Sequence, residues 1–98
     1  MTNKDFSKKY PAKGREVVYK EIESKSVLLN LENGSYYTLN KTGTFIWSLL
    51  DGKTTVNQLI EPLTQSFDVT KDEASKDIFS LIADLENEGL IHLNDKSE

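Results

Sequence analysis

The chain has no cysteine, two prolines, five glycines and a single histidine in 98 residues. Without cysteine there are no disulfides, no thiolate nucleophile and no thiolate-held metal. The one histidine, His92, lies in the apolar run LIHL (Leu90–Leu93) and reads as a half-exposed strand residue, not as a general base. One histidine cannot build a zinc-type ligand cluster. No apolar run approaches the roughly 18 residues that cross a bilayer, and the polar N-terminus contains no secretory apolar region. Gly34, Gly43, Gly52 and Gly89 each fall at a turn, helix or cap position, so no glycine-rich phosphate loop is formed. The carboxylates Asp77, Asp84 and Glu88 recur at helical spacing and read as one helix face. A cytoplasmic, non-enzymatic protein with no cofactor, no metal and no membrane partner is the expectation.

What is present suits one small soluble domain: 37% hydrophobic and 29% charged residues, with a net charge of −4. The charge is unevenly spread. Residues 1–25 carry seven bases against four acids, whereas residues 70–98 carry three bases against eight acids. The acidic C-terminal third argues against a nucleic-acid partner, which needs a basic surface.

Residues 1–13 are lysine-rich and polar and read as a flexible arm, with Tyr10-Pro11 as a docking point. Residues 14–93 form the folded domain and 94–98 a frayed polar tail. Glu16–Glu23 is rich in β-branched residues and reads as a first strand. A turn at Ser24-Lys25 leads to a second strand, Ser26–Leu31, pairing Ile22 with Val27 and Val18 with Leu31. Asn33-Gly34 predicts a two-residue type I′ turn, which sets Leu31 opposite Tyr36 and Leu29 opposite Thr38. One sheet face then holds Val18, Ile22, Val27, Leu29, Leu31 and Tyr36. The other holds Val17, Tyr19, Leu28, Tyr37 and Leu39. Both are partly apolar, and the pattern leaves open which one meets the helices.

Three helices follow. Asn40 caps the first, Lys41 to Asp51, in which Gly43 lets another backbone approach closely. Thr55 with Gln58 predicts a capping box for the second, whose Pro62 implies a kink or a shortened helix. Thr70 with Glu73 caps the third, with Ala74, Ile78, Leu81, Ile82 and Leu85 as its apolar stripe and Phe79 off its centre. Gly89 ends it before the short closing strand. The fold class is α+β: a three-stranded antiparallel sheet, a three-helix bundle in winged helix-turn-helix order and a short C-terminal strand.

The third strand, Ser35–Leu39, carries no charge and no proline, whereas the first strand is laced with charge in the way that blunts an edge. Such an edge is either covered by the arm or closing strand, or kept open for a partner strand. An open edge also permits strand exchange, so a homodimer is left open. A winged-helix DNA-binding domain is the main rival. Its recognition helix would carry six acids (Asp72, Glu73, Asp77, Asp84, Glu86, Glu88) against Lys71 and Lys76, a poor match to phosphate. A self-associating or enzyme-docking module is the other rival.

The segments LLNLENGSYYTLN (28–40), TGTFIWSLLDG (42–52), TVNQLIEPLTQSF (55–67) and DIFSLIADLENEGLI (77–91) together resemble the PqqD-like proteins. These are stand-alone recognition elements for precursors of ribosomally made, modified peptides. The resemblance implies a binding protein that holds a precursor's leader peptide and presents it to a modifying enzyme, often a radical SAM maturase. It also implies where the leader goes: beside the third strand, with backbone contacts at Tyr36, Tyr37, Thr38 and Leu39, and in a cleft toward the third helix. Carried onto that helix, the wall residues are Asp77, Ile78, Phe79, Leu81 and Asp84, the acids suiting basic leader side chains.

Overall fold

Each element begins or ends where a particular side chain forces it to. The computed structural model describes residues 7–98. The chain runs β1 (Tyr10–Lys13), β2 (Val17–Ile22), β3 (Lys25–Asn30), β4 (Tyr36–Leu39), α1 (Lys41–Ser48), a 3₁₀ turn (Asn57–Leu59), α2 (Ile60–Ser66), α3 (Lys71–Asn87) and β5 (Ile91–Asn94). β2, β3 and β4 form an antiparallel three-stranded sheet, and β1 pairs with β5 in a separate two-stranded one. The α+β class expected from the sequence is the one observed.

Both hairpin registers differ from the expected ones. Glu23 and Ser24, at φ 51° and 69°, occupy the first turn, so Ile22 pairs with Lys25 and Val18 with Leu29. Two consecutive left-handed residues match the strand twist, and the short polar Ser24 tolerates that conformation better than Lys25 would. In the second hairpin only Gly34 has positive φ, and the connection is the four residues 31–34. Asn30 closes it. Its N–H donates to Ser35 O and its carbonyl accepts from Gly34 N, while its buried side chain accepts from Glu32 N and donates to Gly89 O. Those bonds lengthen the loop by two residues, both on the β3 side, so Leu29 pairs with Tyr36 and Leu28 with Tyr37. Each shift moves a partner by two positions, which preserves the faces. Leu28 and Leu39 therefore point into the core, while Val18, Ile22, Val27 and Tyr36 point out.

The helix ends follow their caps. Asn40 Oδ1 accepts from Gly43 N. A Cβ at Gly43 would lie 3.2 Å from Leu39 Cδ2 and 3.3 Å from Asn40 Oδ1, so this glycine makes room for side chains, not for another backbone. Thr55 and Gln58 bond reciprocally. Pro62 falls in the first turn of α2, where its missing N–H would have had no helical partner; the preceding turn is 3₁₀ and no kink is needed. Thr70 and Glu73 form the full capping box of α3.

At the other end of α3, Gly89 N donates to Glu86 O and Leu90 N to Leu85 O, the bond pair of a Schellman motif. Gly89 has φ +73°, and its Cβ position lies 3.3 Å from Asn30 Nδ2. Gly89→Ala should therefore cost about 1–2 kcal/mol, read as a lowered midpoint in thermal melts followed by circular dichroism.

The core joins Leu28 and Leu39 to Ile46, Trp47 and Leu50 of the α1 region, to Val56, Leu59 and Leu63, and to Ala74, Ile78, Ile82 and Leu85 of α3. Buried Ser26 Oγ and Thr44 Oγ1, 2.9 Å apart, tie β3 to α1. The expected flexible arm does not hold for Tyr10–Lys13, where Pro11 and Ala12 are buried and pair with Leu93 and His92; residues 1–6 lie outside the described residues. Nor is the C-terminus frayed. Glu98 N donates to Gly52 O, and Lys9 pairs with Asp95. Tyr10–Lys13 and Ile91–Asn94 are held because β1 and β5 cover each other's backbone groups.

Candidate functional site

Among the described residues β4 pairs with a strand on one side only. Asn30 N–H donates to Ser35 O, which marks that position as a hydrogen-bonded pair in the β3–β4 ladder. Such pairs alternate along an antiparallel ladder. Tyr37 and Leu39 therefore spend their backbone groups on Leu28 and Ser26, and Tyr36 and Thr38 turn theirs outward. Among the described residues no strand pairs with that outer edge. The closing strand, one candidate to cover it, is committed to β1 instead.

Alongside this edge runs a groove of about 450 Å³, lined by Tyr37, Thr38 and Leu39 of β4, by Asn40, Thr42, Gly43 and Ile46 at the start of α1, and by Asp77, Ser80, Leu81 and Asp84 of α3. Its floor is apolar, formed by nearly buried Leu39 and Ile46. One wall carries two carboxylates, and the lining contains no lysine or arginine. Asp77, Leu81 and Asp84 follow the i, i+4, i+7 rule of one helix face, and that face is turned to the groove because the adjacent stripe, Ala74, Ile78, Ile82 and Leu85, is buried.

Tyr37 bridges the two walls: its hydroxyl donates to Asp84 Oδ2 at 3.2 Å. Burial, followed by the Asp84 charge, the hydrogen bond to it and Glu88, pushes the Tyr37 phenol above its ordinary value of 10.0. A raised folded pKa contributes stability below the unfolded value that is lost as pH rises through the folded one. The contact should thus persist through neutral pH and fail only above about pH 10. Phenolate absorbance should show one late-titrating tyrosine, absent in Tyr37→Phe.

Of the residues expected from sequence, Tyr37, Thr38, Leu39, Asp77, Leu81 and Asp84 come together in the groove. Tyr36 does not line it; its side chain is 72% exposed on the opposite sheet face, although its backbone belongs to the edge. Ile78 is fully buried in the core, and Phe79 packs half-buried against that core. Neither lines the groove: 77, 80, 81 and 84 share the groove face of the helix, and positions 78 and 79 are rotated about 100° and 200° from Asp77, away from that face. Ser80, Asn40, Thr42, Gly43 and Ile46 were missed. Ser80 was legible, being three residues from Asp77; the α1 residues join only because that helix starts directly at the end of β4. Asp51, away from the groove, is held below its ordinary carboxyl value chiefly by the Lys53 backbone N–H. Among the described residues no cluster of three or more His, Asp or Glu is placed to hold a metal, and no helix is long and apolar enough to cross a membrane.

Comparison with known proteins agrees with this architecture. Among solved structures, TbiB1 in complex with the TbiA(beta) leader peptide aligns with a TM-score of 0.75 at 26% identity, over 83% of this chain and 94% of that one. Lasso peptide synthetase B1 complexed with the leader peptide aligns with a TM-score of 0.74 at 24% identity, over 85% and 98%; that likeness concerns the fold alone. A search of the curated proteins returns no match. The family model described as Coenzyme PQQ synthesis protein D (PqqD) matches residues 25–91, a span that takes in β3, β4, all three helices and the start of β5, and so the chain belongs to the PqqD family.

Proposed function

We propose that this protein captures the leader of a ribosomally made precursor peptide by strand addition and presents it to a modifying enzyme, without catalysing a reaction itself. One observation carries the reading: the outward backbone groups of Tyr36 and Thr38 are left without a strand partner among the described residues, beside a groove with an apolar floor. A peptide in extended form would satisfy them as a fourth strand and place alternate side chains in the groove. The similarity to TbiB1, solved in complex with a leader peptide, supports this reading. The six acids of the α3 region weigh against the winged-helix DNA alternative. Residues 14–93 serve in this proposal as the recognition domain. A radical SAM maturase is the enzyme class implied by the family resemblance. A homodimer formed through the same edge would compete with peptide for the same donors.

In the groove, Tyr37, Leu39 and Leu81 contact apolar leader side chains, and Asp77 and Asp84 attract basic ones. The test is a titration of the leader of the precursor encoded beside this protein, followed by amide resonances. Shifts should concentrate at Tyr36–Leu39 and along Asp77, Leu81 and Asp84. Shifts confined to other surfaces would sink the proposal. For a leader with basic residues, Asp77→Asn and Asp84→Asn should each weaken binding by about two- to fivefold, the range of exposed ion pairs, with a shallower salt dependence.

A further inference from the structure

The outer face of the three-stranded sheet is apolar and faces away from the helices. Val18, Leu29 and Tyr36 are register partners and make one row across all three strands. Val27 lies in the next row, with Ile22 beyond it on β2 and Leu31 on the other side. Val18 is 48% exposed, Ile22 53%, Val27 41%, Leu31 54% and Tyr36 72%. Contiguous apolar surface of this kind on a small protein marks an interaction site more often than scattered single residues do. Two lysines share the face: Lys20 pairs with Val27 and Lys25 with Ile22. The lysines are the charges that alternation turns to this face near Ile22, since Glu21 pairs with Ser26 on the inner face and Glu23 lies in the turn; the groove on the other side of β4 carries carboxylates instead.

We propose that this outer face is the docking surface for the enzyme that modifies the precursor, and that the bound leader completes it. The inference rests on the leader-binding reading above. A strand added beside Tyr36 and Thr38 sends every second side chain to the outer face. It extends the Val18–Leu29–Tyr36 row by one position, so a partner seated on the row also touches the leader. The sheet edge and the outer face are thus one continuous surface, with Tyr36 in both. The fitting partner presents an apolar patch flanked by carboxylates that meet Lys20 and Lys25, an arrangement that also speeds encounter. A stable interface buries about 800 Å² on each partner. A single row of side chains is the core of such a surface and not the whole of it; the added strand enlarges it only when the leader is bound. Enzyme recruitment is then linked to cargo: by reciprocity, the enzyme tightens leader binding as much as leader tightens enzyme binding.

The test uses the purified modifying enzyme encoded beside this protein, titrated against the full chain with and without a saturating amount of the leader peptide. Leader should tighten enzyme binding at least fivefold. Val18→Glu and Lys20→Glu, both on β2 and away from the peptide edge, should each weaken enzyme binding tenfold or more. Their leader affinity, measured directly, should stay within twofold of the original, and circular dichroism should show both folded. Enzyme binding that is absent, or unchanged in both variants, overturns the inference. So does a wild-type dimer in sedimentation equilibrium that Val18→Glu dissociates, because the face would then belong to a second copy. A chain that binds no leader, yet loses the enzyme in both variants, overturns the leader-binding reading and the leader-completed surface, leaving enzyme docking alone.

Discussion

Thr38→Pro should weaken leader binding by about ten- to a hundredfold and leave the fold intact. The size follows from losing one outward backbone donor, whose partner on the peptide is then left unpaired, a loss on the order of 1.5–3 kcal/mol. The fold survives because Thr38 gives its N–H to no strand among the described residues, and proline is tolerated in an edge strand with that N–H outward. The preceding residue, Tyr37, is already extended, as proline requires. Tyr37→Pro is the matched control. Its N–H belongs to the ladder with Leu28, so that variant should lose stability as well as affinity. Calorimetric titration together with thermal melts separates the two. Equal loss of stability in both variants would refute the assignment of which residues face outward.

Ile78→Ala should lower stability by about 2–5 kcal/mol, the range for emptying a fully buried aliphatic site. In a domain of this size each kcal/mol shifts the midpoint by about 4–8 °C, so the variant should melt at least some 8 °C lower. Ile78 is 0% exposed, belongs to the core cluster and does not line the groove, so leader affinity per folded molecule should hardly change. Leu81→Ala reverses the pattern. Leu81 is half-buried and lines the groove, so its truncation should reduce affinity several-fold at small cost to stability. Urea unfolding and peptide titration on the two variants would check both. Affinity lost in Ile78→Ala and retained in Leu81→Ala would mean that α3 presents a different face to the peptide.

These two contrasts show where sequence reading succeeds and where it stops. Local chemistry was legible. Asn40, Thr55 and Thr70 cap helices because their side chains reach N–H groups three residues on. Gly89 adopts positive φ where α3 has to stop, whereas α1 stops earlier than expected, at Ser48, so that Gly52, also at positive φ, lies beyond its end. The lack of charge in Ser35–Leu39, set against the charged β2, singled out β4 as the edge to examine. The apolar stripe of α3 was correct as a set, but periodicity alone does not divide it. Ile78 and Leu81 are three residues apart and neighbours on one helix; only the position of the sheet sends the first to the core and the second to the groove.

The hairpin registers had the same limit. Asn-Gly favours a two-residue turn in isolation, but Asn30 is drawn into bonds with Glu32 and Gly89, and Gly89 lies nearly sixty positions away. No local rule contains that contact. Parity survived, because both shifts were by two, so the composition of each sheet face was already fixed by the alternation of residues. Which face met the helices was not, since Val18, Ile22, Val27 and Tyr36 are as apolar as their neighbours. The same holds for Tyr10–Lys13 and the C-terminal tail, which read as loose yet are joined through β1, β5 and Gly52.

The sequence by itself determined the helices, their N-terminal caps, the strands of the three-stranded sheet and the lack of charge in its third strand, because each depends on residues within a few positions of one another. The tertiary structure alone decided that the closing strand pairs with β1 and leaves β4 open, that Asp77, Leu81 and Asp84 face that open edge, and that the outer apolar row is uncovered by any helix. Those outcomes depend on which surfaces remain once the core has taken Leu28, Trp47, Ile78 and Ile82, and long-range packing of that kind is not written in any one stretch of the chain.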